Sequence, residues 1–142
     1  IRTMSKAFSF AGVRLGYLVA DPAVVNALFL VRLPYHLSSI TQAAGEVALE
    51  YQGELLGNVA TLVANREEVR RQLEALGLVV VPSKANFLLF SGFDIPAAEL
   101  WKGLLDAGVL IRDVGLSGYL RVTIGSEADN NLFISALTRL LK

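Results

Sequence analysis

The sequence predicts an α/β or α+β fold, because segments typical of strands and of helices alternate along the chain. Residues 54–76 carry apolar side chains at intervals of three and four, which predicts one long helix of roughly 30 Å. After Gly77 the pattern changes to short apolar and β-branched runs bounded by Gly and Pro. We therefore expect the end of a larger domain over residues 1–53, a connecting helix over residues 54–76, and a small α/β domain over residues 77–142.

The part before the long helix contains four further predicted elements. Residues 1–4 are expected to form a strand already in progress, and residues 16–20 a short buried strand. Asp21 and Pro22 are typical of a helix N-cap and first position, and this helix is expected to run to about Val31, because Pro34 cannot lie within it. A second helix is predicted over residues 40–51.

The part after the long helix is predicted to contain two helices and four strands. Pro96 is expected to open a helix that closes at Gly108, and Ser126 with Asp129 resembles the capping box of a last helix. Asn86 is expected to order the turn before the second strand. Strands are predicted at residues 78–81, 87–91, 109–112 and 119–124.

Composition excludes several classes of function. The 142 residues include 13 basic and 13 acidic side chains, without the basic excess of a nucleic-acid binder. The absence of cysteine excludes disulfide scaffolds, thiolate metal sites and cysteine nucleophiles, and it fits a cytoplasmic protein. The single His36 cannot build a histidine-rich metal centre.

The chain is unusually apolar, with 54% hydrophobic residues. The most apolar window, residues 17–37, is interrupted by charged residues and prolines, so a membrane-spanning helix is not predicted. We expect the excess apolar surface to be buried against another subunit or another part of the same polypeptide. Since Ile1 lies in a predicted strand, the sequence is expected to begin inside a larger protein.

Residues 3–16 carry the densest set of reactive groups. Lys6 follows a predicted strand end and lies among small residues, and Arg14 follows it by eight positions. An apolar pocket with neighbouring cations favours the neutral, nucleophilic form of a lysine amine. The Ser5 hydroxyl and an arginine fork suit a phosphate. Together these groups could hold an aldehyde cofactor that bears a phosphate, although a lysine in a loop is often only a solvated charge.

The same segment resembles a known family. Residues 3–12, T-M-S-K-A-F-S-F-A-G, resemble the lysine signature of class II pyridoxal-phosphate aminotransferases at every position, and Arg14 and Gly16 extend the match. Residues 32–39, 82–90, 108–113 and 119–125 are similar to the histidinol-phosphate aminotransferases within that class. The resemblance covers nearly the whole chain. It implies the C-terminal part of a fold-type-I enzyme that uses pyridoxal 5'-phosphate, and a homodimer.

The resemblance also implies a role for individual residues. Lys6 should hold the cofactor covalently and shuttle the proton during transamination, while Ser5 and Arg14 should hold its phosphate. Arg121 should bind the substrate carboxylate, and Arg112 the phosphate of histidinol phosphate, with glutamate and 2-oxoglutarate as the other substrate pair. Tyr35 is expected to approach the cofactor of a neighbouring subunit.

Simpler interpretations exist for several of these residues. Arg112 could form a structural ion pair with Asp113, and Arg121 needs a partner if its strand turns it inward. His36 is expected to make loop hydrogen bonds, and Trp101 and the phenylalanines are expected in the core.

Other activities are also compatible with the resemblance. They are an aromatic amino-acid aminotransferase, a threonine-phosphate decarboxylase, and the aminotransferase-like ligand-binding domain of a transcription regulator. Members of the family are more than twice as long as this chain, and the missing N-terminal region should complete the cofactor site. This segment alone is therefore expected to be inactive.

Overall fold

The computed structural model describes residues 1–142, and it confirms the predicted mixture of helices and sheet. The chain divides into two compact units, Ile1–Val59 and Ala60–Lys142. The division falls inside the longest helix. The helices are α1 (Pro22–Val31), α2 (Ser39–Glu50), α3 (Gln52–Ala75), α4 (Ala97–Asp106) and α5 (Glu127–Leu140), and the strands are β1 (Arg2–Thr3), β2 (Gly16–Tyr17), β3 (Val79–Val80), β4 (Phe87–Ser91), β5 (Arg112–Asp113) and β6 (Leu120–Thr123).

A two-stranded antiparallel hairpin begins the first unit. β1 pairs with β2 so that Thr3 is opposite Gly16. A Cβ on Gly16 would lie 2.8 Å from the Arg2 carbonyl oxygen, so only glycine allows this approach. The prediction of a buried strand over residues 16–20 is wrong, because β2 ends at Tyr17 and both of its residues are exposed. The apolar residues that follow meet no neighbouring strand.

Local capping sets the ends of the helices in the first unit. The Asp21 carboxylate accepts a 2.8 Å hydrogen bond from the Ala23 backbone N–H, and α1 ends before the extended Arg32, as predicted. α2 begins after Ser38, whose hydroxyl accepts a hydrogen bond from the Thr41 N–H. No residue of α1 is buried. The unit therefore carries a large exposed apolar surface on α1, which includes Val24, Leu28, Phe29, Leu30 and Val31.

The second unit is built on a four-stranded antiparallel sheet of order β3-β4-β6-β5. One face of the sheet is covered by the second half of α3 and by α4 and α5, which share a single core with the strands. Its members include Val69, Leu73, Leu88, Phe90, Leu100, Leu104, Leu120, Val122, Phe133 and Leu137. Because side chains alternate along a strand, the residues between these core positions point to the opposite face.

Two details of the second unit differ from the sequence predictions. The strand predicted at 109–112 is reduced to Arg112–Asp113, because Val109 instead closes α4 with a 2.8 Å N–H bond to the Leu104 carbonyl. The turn before β4 is ordered by Ser83 and not by the Asn86 side chain. The Ser83 hydroxyl donates to the Phe87 carbonyl at 2.8 Å and accepts the Ala85 N–H at 3.1 Å.

The last helix begins as predicted. Ser126 and Asp129 form a complete capping box, in which each side chain bonds the backbone N–H of the other. None of the helices has the length and apolar character needed to cross a bilayer.

Candidate functional site

The β1–β2 hairpin closes the loop that carries Lys6. The Met4 N–H donates to the Leu15 carbonyl at 3.1 Å, one step beyond the last ladder pair. Ser5 and Arg14 are the next residues on the two sides of this closure, so the fold brings them to the same end of the loop. The buried Met4 also accepts at its carbonyl from Phe8 and Phe10, both at 3.3 Å, and this folds the segment after the lysine back toward the hairpin.

Ser5 and Lys6 keep polar groups available for a ligand. The Thr3 hydroxyl donates to the Ser5 Oγ at 2.9 Å and accepts the Ser5 backbone N–H at 3.1 Å. Since Ser5 Oγ acts as an acceptor in this contact, its own hydrogen is available for a further acceptor. Lys6 is exposed, and its ammonium group forms neither a salt bridge nor a hydrogen bond within the chain.

Arg14 is held in an unusual backbone conformation. It has a φ of 60°, and Ser9 has a φ of 57°, in the left-handed region that non-glycine residues rarely adopt. Such conformations cost on the order of 1–3 kcal/mol and occur often at ligand sites. One Arg14 guanidinium nitrogen, Nη1, donates to the Ala11 carbonyl at 3.1 Å. Its other N–H groups have no partner in the chain and can bind an anion.

α2 supports the C-terminal part of the same loop, on both sides of Arg14. The Thr41 hydroxyl donates to the Val13 carbonyl at 3.5 Å. A Cβ on Gly45 would lie only 2.6 Å from a methyl group of Leu15, so the glycine lets that side chain pack against the helix. Residues 1–20 contain three cationic side chains and no carboxylate. The loop is therefore an anchored cationic segment, and its Ser, Lys and Arg fit a phosphate-bearing aldehyde such as pyridoxal phosphate.

Tyr35 lies in the segment between α1 and α2. Its φ is 56°, and its side chain is 98% exposed. It makes no side-chain hydrogen bond, so no contact within the chain explains its conformation. The neighbouring His36, expected to make loop hydrogen bonds, is exposed and makes none either.

The second unit contributes a pair of arginines on adjacent strands. Arg112 of β5 is the direct cross-strand partner of Arg121 of β6, so the two side chains point to the same face of the sheet. Neither forms a salt bridge. The predicted alternative of an ion pair between Arg112 and Asp113 is wrong, because the Asp113 carboxylate accepts the Gly115 N–H at 2.8 Å.

Arg121 is only partly satisfied by its surroundings. Its Nε is buried and has no hydrogen-bond partner, which is rare for a buried donor. Its guanidinium carbon lies 4.7 Å from the centroid of the Phe87 ring, within the range of a cation–π interaction. Like charges placed directly opposite are destabilising. An anion between the two arginines would remove this repulsion, so the pair has the chemistry of a carboxylate or phosphate site.

Sequence reasoning missed the role of Phe87. We expected the phenylalanines in the core, but Phe87 is half-buried on the sheet face opposite the fully buried Phe90. The alternation of β4 was the available signal, since Leu88 and Phe90 point to one face and Phe87 to the other. Trp101 packs against the core as expected, and its indole N–H donates to the Ile111 carbonyl at 2.9 Å.

Comparison with known proteins decides the family. The family model for aminotransferase class I and II matches residues 1–137. The chain belongs to this family. A curated relative of this aminotransferase chain, the histidinol-phosphate aminotransferase of Mycobacterium ulcerans, is 59% identical over 140 residues, which are 98% of the chain and 36% of that protein. The chain thus spans about a third of the length of the curated relatives it matches.

Solved structures share the fold of this aminotransferase chain. The L-threonine-O-3-phosphate decarboxylase of Porphyromonas gingivalis is 30% identical with a TM-score of 0.85, and the match covers 97% of the chain and 45% of that structure. The histidinol-phosphate aminotransferase of Sinorhizobium meliloti, solved in complex with pyridoxal-5'-phosphate, is 28% identical with a TM-score of 0.79, over 98% of the chain and 39% of that structure. These likenesses support the predicted fold-type-I class.

Proposed function

We propose that the protein to which this chain belongs is a pyridoxal-phosphate-dependent aminotransferase that transfers the amino group of histidinol phosphate to 2-oxoglutarate, in histidine biosynthesis. The observation that carries the proposal is the unneutralised pair of Arg112 and Arg121 on one sheet face, with the Arg121 Nε buried and unpartnered. The 59% identity to a histidinol-phosphate aminotransferase supports the choice of substrate.

The cofactor is held by the first unit. Lys6, in the closed loop of residues 4–15, binds it covalently through its amine and moves the proton at that nitrogen, a general acid–base role. Ser5 and Arg14, on the two sides of the Met4–Leu15 closure, hold its phosphate through the hydroxyl and the free guanidinium N–H groups. When bound, pyridoxal phosphate supplies the electron sink for the reaction.

The arginine pair distinguishes the two substrates. Histidinol phosphate carries one strongly anionic group, its phosphate, whereas glutamate carries two carboxylates. Arg112 is exposed and suits the phosphate end, and the half-buried Arg121 suits a carboxylate of glutamate that accepts two parallel hydrogen bonds. As the cross-strand partner of Arg112, Arg121 also joins it in binding the single phosphate of histidinol phosphate. Both substrates can then use one site with no carboxylate of the protein competing for the arginines.

We propose the same organisation that the sequence predicts. Residues 1–53 are the end of the large cofactor-binding domain, residues 54–76 the connecting helix, and residues 77–142 the small domain. The exposed apolar side chains of α1 are covered by the rest of the polypeptide or by the second subunit of a homodimer. Tyr35, exposed and held with a positive φ, reaches the cofactor of that second subunit. A cytoplasmic location is consistent with the absence of cysteine.

A threonine-phosphate decarboxylase is the second candidate. A structure of that name is 30% identical to the chain with a TM-score of 0.85. Its substrate carries both a phosphate and a carboxylate, and two arginines would also suit that combination. The 59% identity to a histidinol-phosphate aminotransferase favours transamination, since the arginine pair suits both substrates.

Assays of the full-length protein separate these candidates. Histidinol phosphate with 2-oxoglutarate should yield glutamate, whereas threonine phosphate should release little carbon dioxide. Phenylalanine serves as the donor that lacks a phosphate, and we expect its kcat/KM to be much lower. A faster reaction with threonine phosphate or phenylalanine than with histidinol phosphate would overturn the proposed substrate.

A further inference from the structure

We propose that Asn65 and Arg66, adjacent residues of α3, are positioning residues that set the orientation of Arg121, an inference that rests on the proposed function of the arginine pair. Together they fasten one end of the paired strands β4 and β6. Neither hydrogen-bonds to the arginine pair, and each acts through the backbone of the strand ends. We call these two residues the α3 clamp.

Arg66 is a buried cation that links α3 to the turn before β4. The residue is only 4% exposed. Nη1 donates to the Ala85 carbonyl at 3.0 Å, while Nε and Nη2 donate to the Glu67 carboxylate at 3.1 and 2.8 Å. A buried charge is costly unless paired and hydrogen-bonded. Glu67 neutralises Arg66, and the remaining contact ties α3 to the turn that precedes β4.

Asn65 holds the matching segment after β6. Its side-chain amide donates to the Gly125 carbonyl at 3.3 Å. The buried Asn130 of α5 bonds both the N–H and the carbonyl of the same Gly125, each at 3.1 Å. The backbone of Gly125 is therefore fixed from two helices at once.

The two fastened points lie at the same end of the sheet. Phe87, the first residue of β4, is the cross-strand partner of Thr123, the last residue of β6. The Ile124 N–H donates to the Asn86 carbonyl at 2.9 Å, and this bond continues the pairing toward the clamp. The α3 clamp thus fixes where this end of β4 and β6 lies relative to α3. It thereby also fixes the position of the Phe87 backbone.

Phe87 transmits this position to Arg121. The Arg121 guanidinium makes no hydrogen bond to the protein. It is held instead by a cation–π contact with the face of the Phe87 ring. A guanidinium held by stacking follows the ring when the ring moves. Since a misplacement of about 1 Å in a binding group can cost roughly 100-fold in rate, a small displacement of Phe87 should weaken anion binding measurably.

Inorganic phosphate is the probe, with the full-length enzyme loaded with its cofactor so that the cofactor-phosphate site is filled. We expect Arg66→Met to weaken phosphate binding about tenfold by calorimetry, and to raise the KM for histidinol phosphate by a similar factor, with a smaller change in kcat. Arg70→Met is the matched control. Arg70 pairs with the same Glu67 but makes no hydrogen bond to the Ala85 turn, so its replacement should leave phosphate binding unchanged.

A double-mutant cycle separates positioning from general stability. If Arg66 acts through Arg121, then Arg66→Met should change phosphate affinity less than about twofold when Arg121 is already alanine. Equal effects of Arg66→Met in both backgrounds would overturn the inference, as would an Arg66→Met variant that binds phosphate like the wild type.

A second variant covers the case in which Arg66→Met does not fold. Ser83→Ala removes the hydroxyl that bonds the Ala85 N–H and the Phe87 carbonyl, and should weaken phosphate binding in the same Arg121-dependent way. The phosphate measurement does not depend on turnover. If the wild type binds phosphate but does not use histidinol phosphate, the proposed substrate is refuted. The double-mutant cycle, read by phosphate affinity, still tests the α3 clamp in that case. A wild type that binds no phosphate refutes both the anion site and the clamp.

Discussion

Arg112 and Arg121 lie directly opposite each other in the antiparallel pair of β5 and β6, and no carboxylate neutralises either of them. A pair of this kind works against the stability of the sheet. The opposite charge is therefore expected from a ligand, which makes this pair the strongest structural support for an anionic substrate.

The arginine pair gives the first prediction. Arg112→Ala and Arg121→Ala should each lower kcat/KM by roughly 100-fold, because each removes charge-assisted hydrogen bonds to an anionic group. Replacement by lysine should recover little, since a point charge does not reproduce the planar fork. Both half-reactions are to be measured in the full-length enzyme, with histidinol phosphate and with glutamate.

Cofactor binding provides the internal check on these variants. The visible absorbance of the bound cofactor should persist in both, because the residues proposed to hold it, Lys6, Ser5 and Arg14, are unchanged. Arg71→Ala removes an exposed arginine that pairs only with α3 neighbours, and serves as the surface control. Near-wild-type rates with both substrates in either arginine variant would show that this arginine is structural.

The second prediction identifies the lysine that binds the cofactor. Reduction of the full-length protein with borohydride should attach the cofactor permanently to Lys6, the lysine in the loop closed by Met4 and Leu15. Peptide mapping should recover the label on the peptide that contains residues 3–12. Lys102, which pairs with Asp106 on α4, should remain unlabelled, and so should Lys84. Recovery of the label at either of these would refute the assignment.

The third prediction concerns residues 1–142 produced alone. The helix α1 has no buried residue, and its exposed apolar side chains lack a partner within the chain. Such a surface favours association. The isolated chain should therefore elute as oligomers or aggregates and should not bind the cofactor tightly or catalyse transamination. A monomer in light scattering that unfolds cooperatively and binds the cofactor with micromolar affinity would falsify this.

The fourth prediction concerns the pH dependence of the cap of α5. The Ser126 hydroxyl, and then its backbone N–H, lower the pKa of Asp129 below its ordinary value of 3.8 by hydrogen bonding the carboxylate. A carboxyl group whose pKa is lowered on folding stabilises the fold above the unfolded value, and this stabilisation is lost as the pH falls through the folded value. Ser126→Ala should therefore lower the Tm near neutral pH, and by less in acid.

Thermal unfolding of the full-length protein across this pH range tests the cap. Ser135→Ala, at an exposed position of the same helix, is the control and should change the Tm little at any pH. A Tm difference for Ser126→Ala that stays constant from neutral to acid pH would show that the Asp129 carboxylate does not contribute through this hydrogen bond.

The sequence by itself determined the features that depend on close neighbours along the chain. The Asp21–Pro22 start of α1 and the Ser126–Asp129 box of α5 involve groups within three positions of each other, so local chemistry is sufficient to place them. The family was also readable from residues 3–12, because that segment is contiguous. The same locality makes Lys6 a candidate from the order of residues alone.

Only the tertiary structure decided the arrangement around the arginine pair. Arg112 faces Arg121 through strand register, and Arg121 lies over the Phe87 ring because β4 pairs with β6, although the two residues are 34 positions apart in the chain. The buried Arg66 reaches Ala85 across 19 positions. The strand expected over residues 109–112 is reduced to Arg112–Asp113 because a strand needs a neighbour, and β6 pairs with this segment only there. Register and burial depend on contacts between distant segments, so they cannot be predicted from the periodicity of residues within one segment.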